Sequence, residues 1–249
     1  MTAEIRTIPR PSPNHDARPE GTPVDILLLH YTGMQTAEAA LQRLTDPVAK
    51  VSAHYTIDED GTIYAHVDEL RRAWHAGVSH WGGHGDINAR SVGIELVNPG
   101  HEFGYRDFPS AQIEALIRLA HGILARHPIP PARVLGHSDV APNRKQDPGE
   151  RFPWATLAAQ GIGLWPTGVA LPRGRGLHRD TTGPAVAALQ GKLRRYGYGL
   201  SATGRYDVET SLVVAAFQRH FRPAAVSGEA DDETLAVLDN LLALAKLAP

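Results

Sequence analysis

The sequence predicts an α/β chain: a mixed central sheet flanked by helices, followed by a small all-α domain of three helices. Three observations predict it. "VDILLLH" (24–30) is a short, nearly continuous apolar run closed by a polar residue, the pattern of a strand buried on both faces. "AHYTIDEDGTIYAHV" (53–67) holds two alternating runs around Asp60-Gly61, a strong hairpin signal. Beyond residue 176, three short segments carry apolar residues at helical spacing.

Taken in order, residues 1–23 hold Pro9, Pro11, Pro13, Pro19 and Pro23, which deny helix and suit an extended arm on the surface of the domain behind it. Ala37 to Leu44 places Ala40, Leu41 and Leu44 on one helical face. "SVGIELVN" (91–98) is a further strand. Ser110 is expected to cap a helix in which Ile113, Leu116, Ile117, Ala120 and Leu124 repeat at helical spacing. "ARVLGH" (132–137) is another strand. "GIGLWPTGVALPRGRG" (161–176) has no helical or strand period, and its second half, 169–176, reads as a linker between a domain at 1–168 and a helical domain at 177–249.

In the tail, "GRYDVETSLVVAAFQ" from Gly204 and "GEADDETLAVLDNLL" from Gly228 each place Gly three residues before an Asp and Thr three residues after it. Asp207 and Asp231 are the expected N-caps, accepting from free N–H groups of the first turn. Leu212, Ala216 and Phe217 form one apolar face, and Leu235, Leu238 and Leu242 another. A third helix fits Pro184 to Tyr196, with Val186, Leu189 and Leu193 inward. "VAALQGKLRRYGYG" followed by "TGRYDVETSLVVAAFQRHF" resembles the three-helix peptidoglycan-binding domain, which implies peptidoglycan or muropeptide fragments as partners.

Composition narrows the function classes. The chain of 249 residues has a formal net charge of −2, so no overall attraction to nucleic acid or to an anionic membrane is expected. Cysteine is absent, which excludes a disulfide framework, a Cys-ligated metal and a Cys nucleophile. No window approaches the ~20 apolar residues of a membrane span, and no apolar run follows a basic start. The expected compartment is the cytoplasm, with the periplasm or cell envelope as the alternative if a leader has been trimmed.

Of thirteen histidines, His15, His84, His101, His121, His127, His178 and His220 sit in expected polar loops or helix surfaces. His30 and His137 differ, since each closes an apolar strand run at the mouth of the sheet, where α/β sites form. Ten residues after the second lies Asp147, in the turn-rich "GHSDVAPNRKQDPG" (136–149), whose polar side chains need something to order them. Two His and one carboxylate with a fourth position left to water is the arrangement of a catalytic zinc site. Magnesium and calcium prefer all-oxygen shells, while non-haem iron uses the same ligand set and stays open. Glu95, a carboxylate amid the apolar "VGIELVN", is a candidate general base, because burial raises its pKa toward the working range. Lys145 is placed to aim its ammonium at the oxygen that becomes negative in a tetrahedral intermediate. A serine hydrolase built on Ser138, His137 and Asp139 is set aside, since adjacent side chains diverge and no strand-to-helix Ser elbow is present.

"LLLHYTG", "SAHYTIDEDGTIY", "AWHAGVSHWGG", "INARSVGIELVN" and "VLGHSDVAPNRKQDPGERFPW" together resemble successive blocks of the type 2 family of zinc-dependent N-acetylmuramoyl-L-alanine amidases, relatives of peptidoglycan recognition proteins. The resemblance runs from about residue 21 to 166. It implies Zn2+ on His30, His137 and Asp147, catalytic roles for Glu95 and Lys145, and cleavage of the amide between N-acetylmuramic acid, in its ordinary or 1,6-anhydro form, and L-alanine of the stem peptide. It also implies a groove along "WHAGVSHWGG", where Trp74, His75 and Trp81 offer flat faces and polar edges to a sugar and a short peptide. Tyr55, next to His54 on the hairpin, is a further candidate contact. The alternative is a peptidoglycan-binding protein without catalysis, against which stand the complete ligand set and Lys145.

Overall fold

The centre of the sheet is strand β3 (Ile26–Tyr31), which follows a Pro-rich arm carrying β1 (Ile8–Pro9) and β2 (His15–Ala17). A computed structural model describes residues 5–167 and 176–246; the linker expected at 169–176 lies, but for Gly176, outside the described residues. After β3 come α1 (Ala37–Thr45), the hairpin β4 (Tyr55–Ile57) and β5 (Ile63–Ala65), β6 (Arg71–Ala73), α2 (Ile87–Arg90) and β7 (Ser91–Leu96). Next are α3 (Gly100–Phe103), α4 (Ser110–Arg126), β8 (Val134–Gly136), α5 (His137–Val140) and α6 (Trp154–Ala159), then α7 (Pro184–Tyr196), α8 (Val208–Phe221) and α9 (Asp232–Leu244).

The main sheet has the order β1-β5-β4-β7-β3-β8. β3 pairs in parallel with β7 and β8, so both its edges have ladder partners and both its faces are covered. That explains its unbroken apolar run, and its alternation sorts the core. Leu27 and Leu29 pack with Val92, Ile94 and Leu96 under Leu116 and Leu119 of α4. Ile26 and Leu28 point to the opposite face, into an apolar core shared with Val140 of α5, Trp81 and the helices α7–α9. His30 follows the parity of Ile26 and Leu28, away from α4.

Two expectations change. The arm does more than lie on the surface: β1 adds in parallel to β5 as an edge strand, a position that tolerates Pro9 without its N–H, and β2 pairs with β6. Arg18 then donates to the carbonyls of Glu69, Asn88, Ala89 and Ser91, tying the arm to α2. At α4 the N-cap is Pro109, with no side-chain cap bond, and Ser110 is the first helical residue.

In the tail, Asp207 and Asp231 cap α8 and α9 by accepting from the Thr210 and Thr234 amides. The internal echo also has a buried polar meaning. Gln190 accepts from the Gly204 amide and donates to the Thr210 hydroxyl, while Gln218 accepts from the Gly228 amide and donates to the Thr234 hydroxyl. Each glutamine thus satisfies the loop that leads into the next helix, which is why "LQ" and "FQ" recur with the Gly-to-Thr spacing.

Candidate metal centre and active site

Parallel pairing of β3 with β7 sets His30 beside Glu95, and β8 ends one residue before His137, so all three side chains reach the same edge of the sheet. The loop after α5 folds back to bring Asp147 to them, fixed by the Ser138 amide donating to the Asp147 carbonyl at 2.9 Å. His30 Nδ1 lies 2.9 Å from His137 Nδ1 and 3.1 Å from Asp147 Oδ2, and His137 Nδ1 lies 3.0 Å from the same oxygen. All three residues are buried.

The protons on the far sides of the rings decide what these atoms are. His137 Nε2 faces the Ala76 carbonyl at 3.1 Å; a carbonyl only accepts, so Nε2 carries the hydrogen and Nδ1 presents a lone pair. His30 Nε2 lies 3.0 Å from His75 Nδ1, His75 Nε2 lies 3.3 Å from Ser91 Oγ, and Ser91 Oγ donates to the Ile87 carbonyl at 2.7 Å. Read back from that carbonyl, every donor in the chain is assigned and His30 Nδ1 is also left as a lone pair. Two nitrogen lone pairs and a carboxylate oxygen within about 3 Å repel one another unless a cation sits among them. The spacing suits one, since bonds of about 2.0 Å to a tetrahedral zinc give ligand separations of about 3.3 Å.

Ionisation points the same way. Burial, then the neighbouring His137, pushes His30 down to about 4, so its imidazole is neutral at pH 7. His75 is held well below its ordinary range by burial and by His30 and His54. Glu95 goes the other way: burial and the nearby Asp147 raise it well above its ordinary value, with Lys145 pulling against them. Among the described residues its buried Oε2 has no hydrogen-bond partner, an orphaned acceptor at the wall of the cavity.

That cavity, of about 170 Å3, is lined by Trp74, His75, Glu95, His137, Lys145 and Asp147, together with Tyr31, Arg43 and Leu44. The structure therefore gathers seven of the nine sequence-derived site residues, His30 included. Trp74 stands at the rim, its indole N–H donating to Asp16 at 2.7 Å. His75 both lines the cavity and supports His30 from behind.

Trp81 and Tyr55 are not there. Trp81 is 2% exposed and packs edge-to-face on Tyr196 and Tyr198 of the tail, because those rings offer it a dry surface. Tyr55 is opposite Ile94 in register, on the α4 side of the sheet, and its hydroxyl donates to Glu69. His220, expected on a polar helix surface, is buried against Asp139.

Some supporting residues gave no sequence signal. Asn88 Oδ1 accepts from the His75 and Ala76 amides, and Arg144 donates to the carbonyls of Ala76 and Val78, so both fix the segment on which His137 leans. Ser91 was findable, since it shares the parity of Glu95 on β7 and had to face the site.

A family model described as N-acetylmuramoyl-L-alanine amidase matches residues 20–150, and one described as putative peptidoglycan binding domain matches residues 182–238. N-acetylmuramoyl-L-alanine amidase AmiD of Escherichia coli (strain K12) is 41% identical over 236 residues, covering 88% of this chain and 82% of that protein. The solved complex of AmiD from E. coli with the substrate anhydro-N-acetylmuramic acid-L-Ala-D-gamma-Glu-L-Lys superposes with a TM-score of 0.80 at 38% identity, over 92% of this chain and 93% of that one. AmpDh3 of Pseudomonas aeruginosa in complex with anhydromuramic pentapeptide gives 0.76 at 36% identity, over 91% and 94%.

Proposed function

The chain belongs to the N-acetylmuramoyl-L-alanine amidase family, and from that membership we propose that it hydrolyses the amide between N-acetylmuramic acid and L-alanine of the stem peptide, on peptidoglycan fragments that include the 1,6-anhydro form, in cell-wall turnover. The observation that carries this reading is the convergence of His30 Nδ1, His137 Nδ1 and Asp147 Oδ2 beside Glu95, whose Oε2 has no partner among the described residues. Those three residues would hold a zinc ion.

Zinc bound there supplies Lewis acidity, polarising the scissile carbonyl and making water acidic enough to react near neutral pH. Glu95 accepts a proton from the attacking water and returns it to the leaving amide nitrogen, a task that suits a carboxyl raised by burial. Lys145 lines the cavity and donates to the carbonyl oxygen as negative charge develops on it. Asn88 and Arg144 hold the segment behind His137, and Trp74 lines the cavity with a flat face for the sugar or peptide. The C–N bond breaks, leaving a carboxylate on the lactyl group and an ammonium on L-alanine, which carries both protons of the water. A binder without catalysis has no use for the complete ligand set or for Glu95.

The test is metal content together with muropeptide cleavage. Purified protein is expected to hold one zinc, to lose activity to a chelator and regain it with Zn2+. Glu95→Gln should keep the zinc and lower kcat by about 10²- to 10⁴-fold, whereas His30→Ala should lose both zinc and activity. Full cleavage by metal-free protein would sink the reading.

A further inference from the structure

We propose that His220 of α8 and Tyr198, in the loop that follows α7, are positioning residues for the metal ligand His137, acting through Asp139. The inference rests on the metal reading above and goes beyond it by giving the tail a task at the active site.

His137 opens α5, a single helical turn of four residues. Such a turn has almost no stability of its own, so its geometry is set by what it touches. Its N-cap is Gly136, which offers no side chain, and no other side chain fits there: a Cβ would come within 2.7 Å of Pro148 and 3.3 Å of Trp154. The capping is done instead from within the turn, where Asp139 Oδ2 accepts from the Gly136 amide at 2.8 Å. That carboxylate is fully buried, and its other two donors come from the tail. Tyr198 Oη donates to Oδ1 at 2.6 Å and His220 Nδ1 donates to Oδ2 at 2.7 Å.

Both donors are themselves held. The His220 ring stacks on Trp154 at 3.7 Å and on Phe221 at 3.8 Å, and the Tyr198 ring meets Trp81 edge-to-face at 4.9 Å. A backbone bond from the Gly82 amide to the Gly197 carbonyl crosses the same junction, and one from the His80 amide to the Val140 carbonyl ties the segment before Trp81 to the end of α5. A buried carboxylate with three donors from three directions cannot shift without stranding one of them. Since His137 and Asp139 share one turn, fixing Asp139 fixes the approach of the His137 ring. The three-helix tail is thus part of the support of the metal ligand, whatever wall polymer it also binds.

The experiment uses the full chain with Tyr198→Phe and His220→Phe, singly and combined. Each replacement keeps an aromatic ring in the stack and removes only the polar donor. Leu238→Ala is the control, a buried tail residue that lowers stability without touching Asp139. Zinc transfer to a competing chelator and amide exchange at residues 136–140 of the metal-free protein are measured below the melting temperature, with kcat and KM on a muropeptide. The double variant is expected to lose about 10- to 100-fold in zinc affinity, to exchange faster at 136–140 and to lose kcat rather than KM, while Leu238→Ala keeps wild-type zinc affinity. Zinc retention in the double variant equal to wild type overturns the proposal, as does equal loss in Leu238→Ala, which would mark a general stability effect. Wild-type protein that takes up no zinc overturns the metal reading itself, and the two failures are therefore distinguishable.

Discussion

The two faces of the central sheet are covered in different ways. On one, Leu27, Leu29, Val92 and Ile94 lie under α4, a 17-residue amphipathic helix from the same part of the chain. On the other, Ile26 and Leu28 meet α5 and Trp81, and behind them the apolar sides of α7, α8 and α9, more than a hundred residues further on. The first face is purely a packing surface. The second bears His30, Glu95 and the ligand-holding turn, and it borrows buried surface from another domain. Chemistry sits where the covering is assembled from several short pieces, because a continuous helix would have filled the cleft that the substrate needs.

The largest test of this contrast removes one leucine from each side. Leu116→Ala in α4 and Leu238→Ala in α9 both delete fully buried side chains, and each is expected to cost about 2–5 kcal/mol. If the tail and the sheet share one core, both substitutions lower a single transition in calorimetry, seen alike by far-UV dichroism and by the fluorescence of Trp81 and Trp154. A separate tail transition, moved only by Leu238→Ala, would break the picture of a joint core.

The α4 face was easy to read and the site face only in part, for a physical reason. A long helix and an apolar strand announce themselves by period, so Ile113 to Leu124 and "VDILLLH" were legible at once, as were His30 and His137 at the ends of such runs and Asp147 in the turn-rich loop behind the second. What escaped depends on contacts between remote pieces. Trp81 looks like a groove aromatic until Tyr196 and Tyr198 cover it, and His220 looks like a helix-surface residue until Asp139 is buried beside it. Tyr55 was misplaced for a local reason: the register that puts Thr56 beside Glu95 turns Tyr55 to the other face.

Acid sharpens the contrast next. His54, on the site side, accepts from the Gly93 amide at Nδ1 and is pushed down to about 4, by burial first and then by Arg18. Unfolded, the same ring titrates near 6.5. Between these values the unfolded chain binds the extra proton, so stability is fully present above about pH 6.5 and is lost as pH falls through about 4, on the order of 3 kcal/mol from this group. His54→Asn keeps an acceptor and cannot protonate there. Denaturant unfolding of metal-free protein is expected to give the variant a shallower pH slope between 6.5 and 4, and equal slopes would show that His54 is not the buried base described.

The smallest expected effect concerns the helix starts of the tail. Asp207 accepts from the Thr210 amide at 2.9 Å and Asp231 from the Thr234 amide at 2.9 Å, so replacing either with alanine should cost about 1 kcal/mol. The two sites are alike in capping and differ in company. Asp231 also pairs with Arg222 at 2.8 Å, an ion pair with no counterpart at Asp207 among the described residues, although Glu233 remains to hold the Arg222 guanidinium. Asp231→Ala should therefore exceed Asp207→Ala by no more than a few tenths of a kcal/mol, since a half-exposed pair contributes little. In a chain of this size 1 kcal/mol moves the melting temperature by about 2–4 °C. The displacement should be the same whether followed by tail helicity or by the fluorescence of Trp154 beside His220, because the interface that carries Asp139 passes the loss from one side to the other.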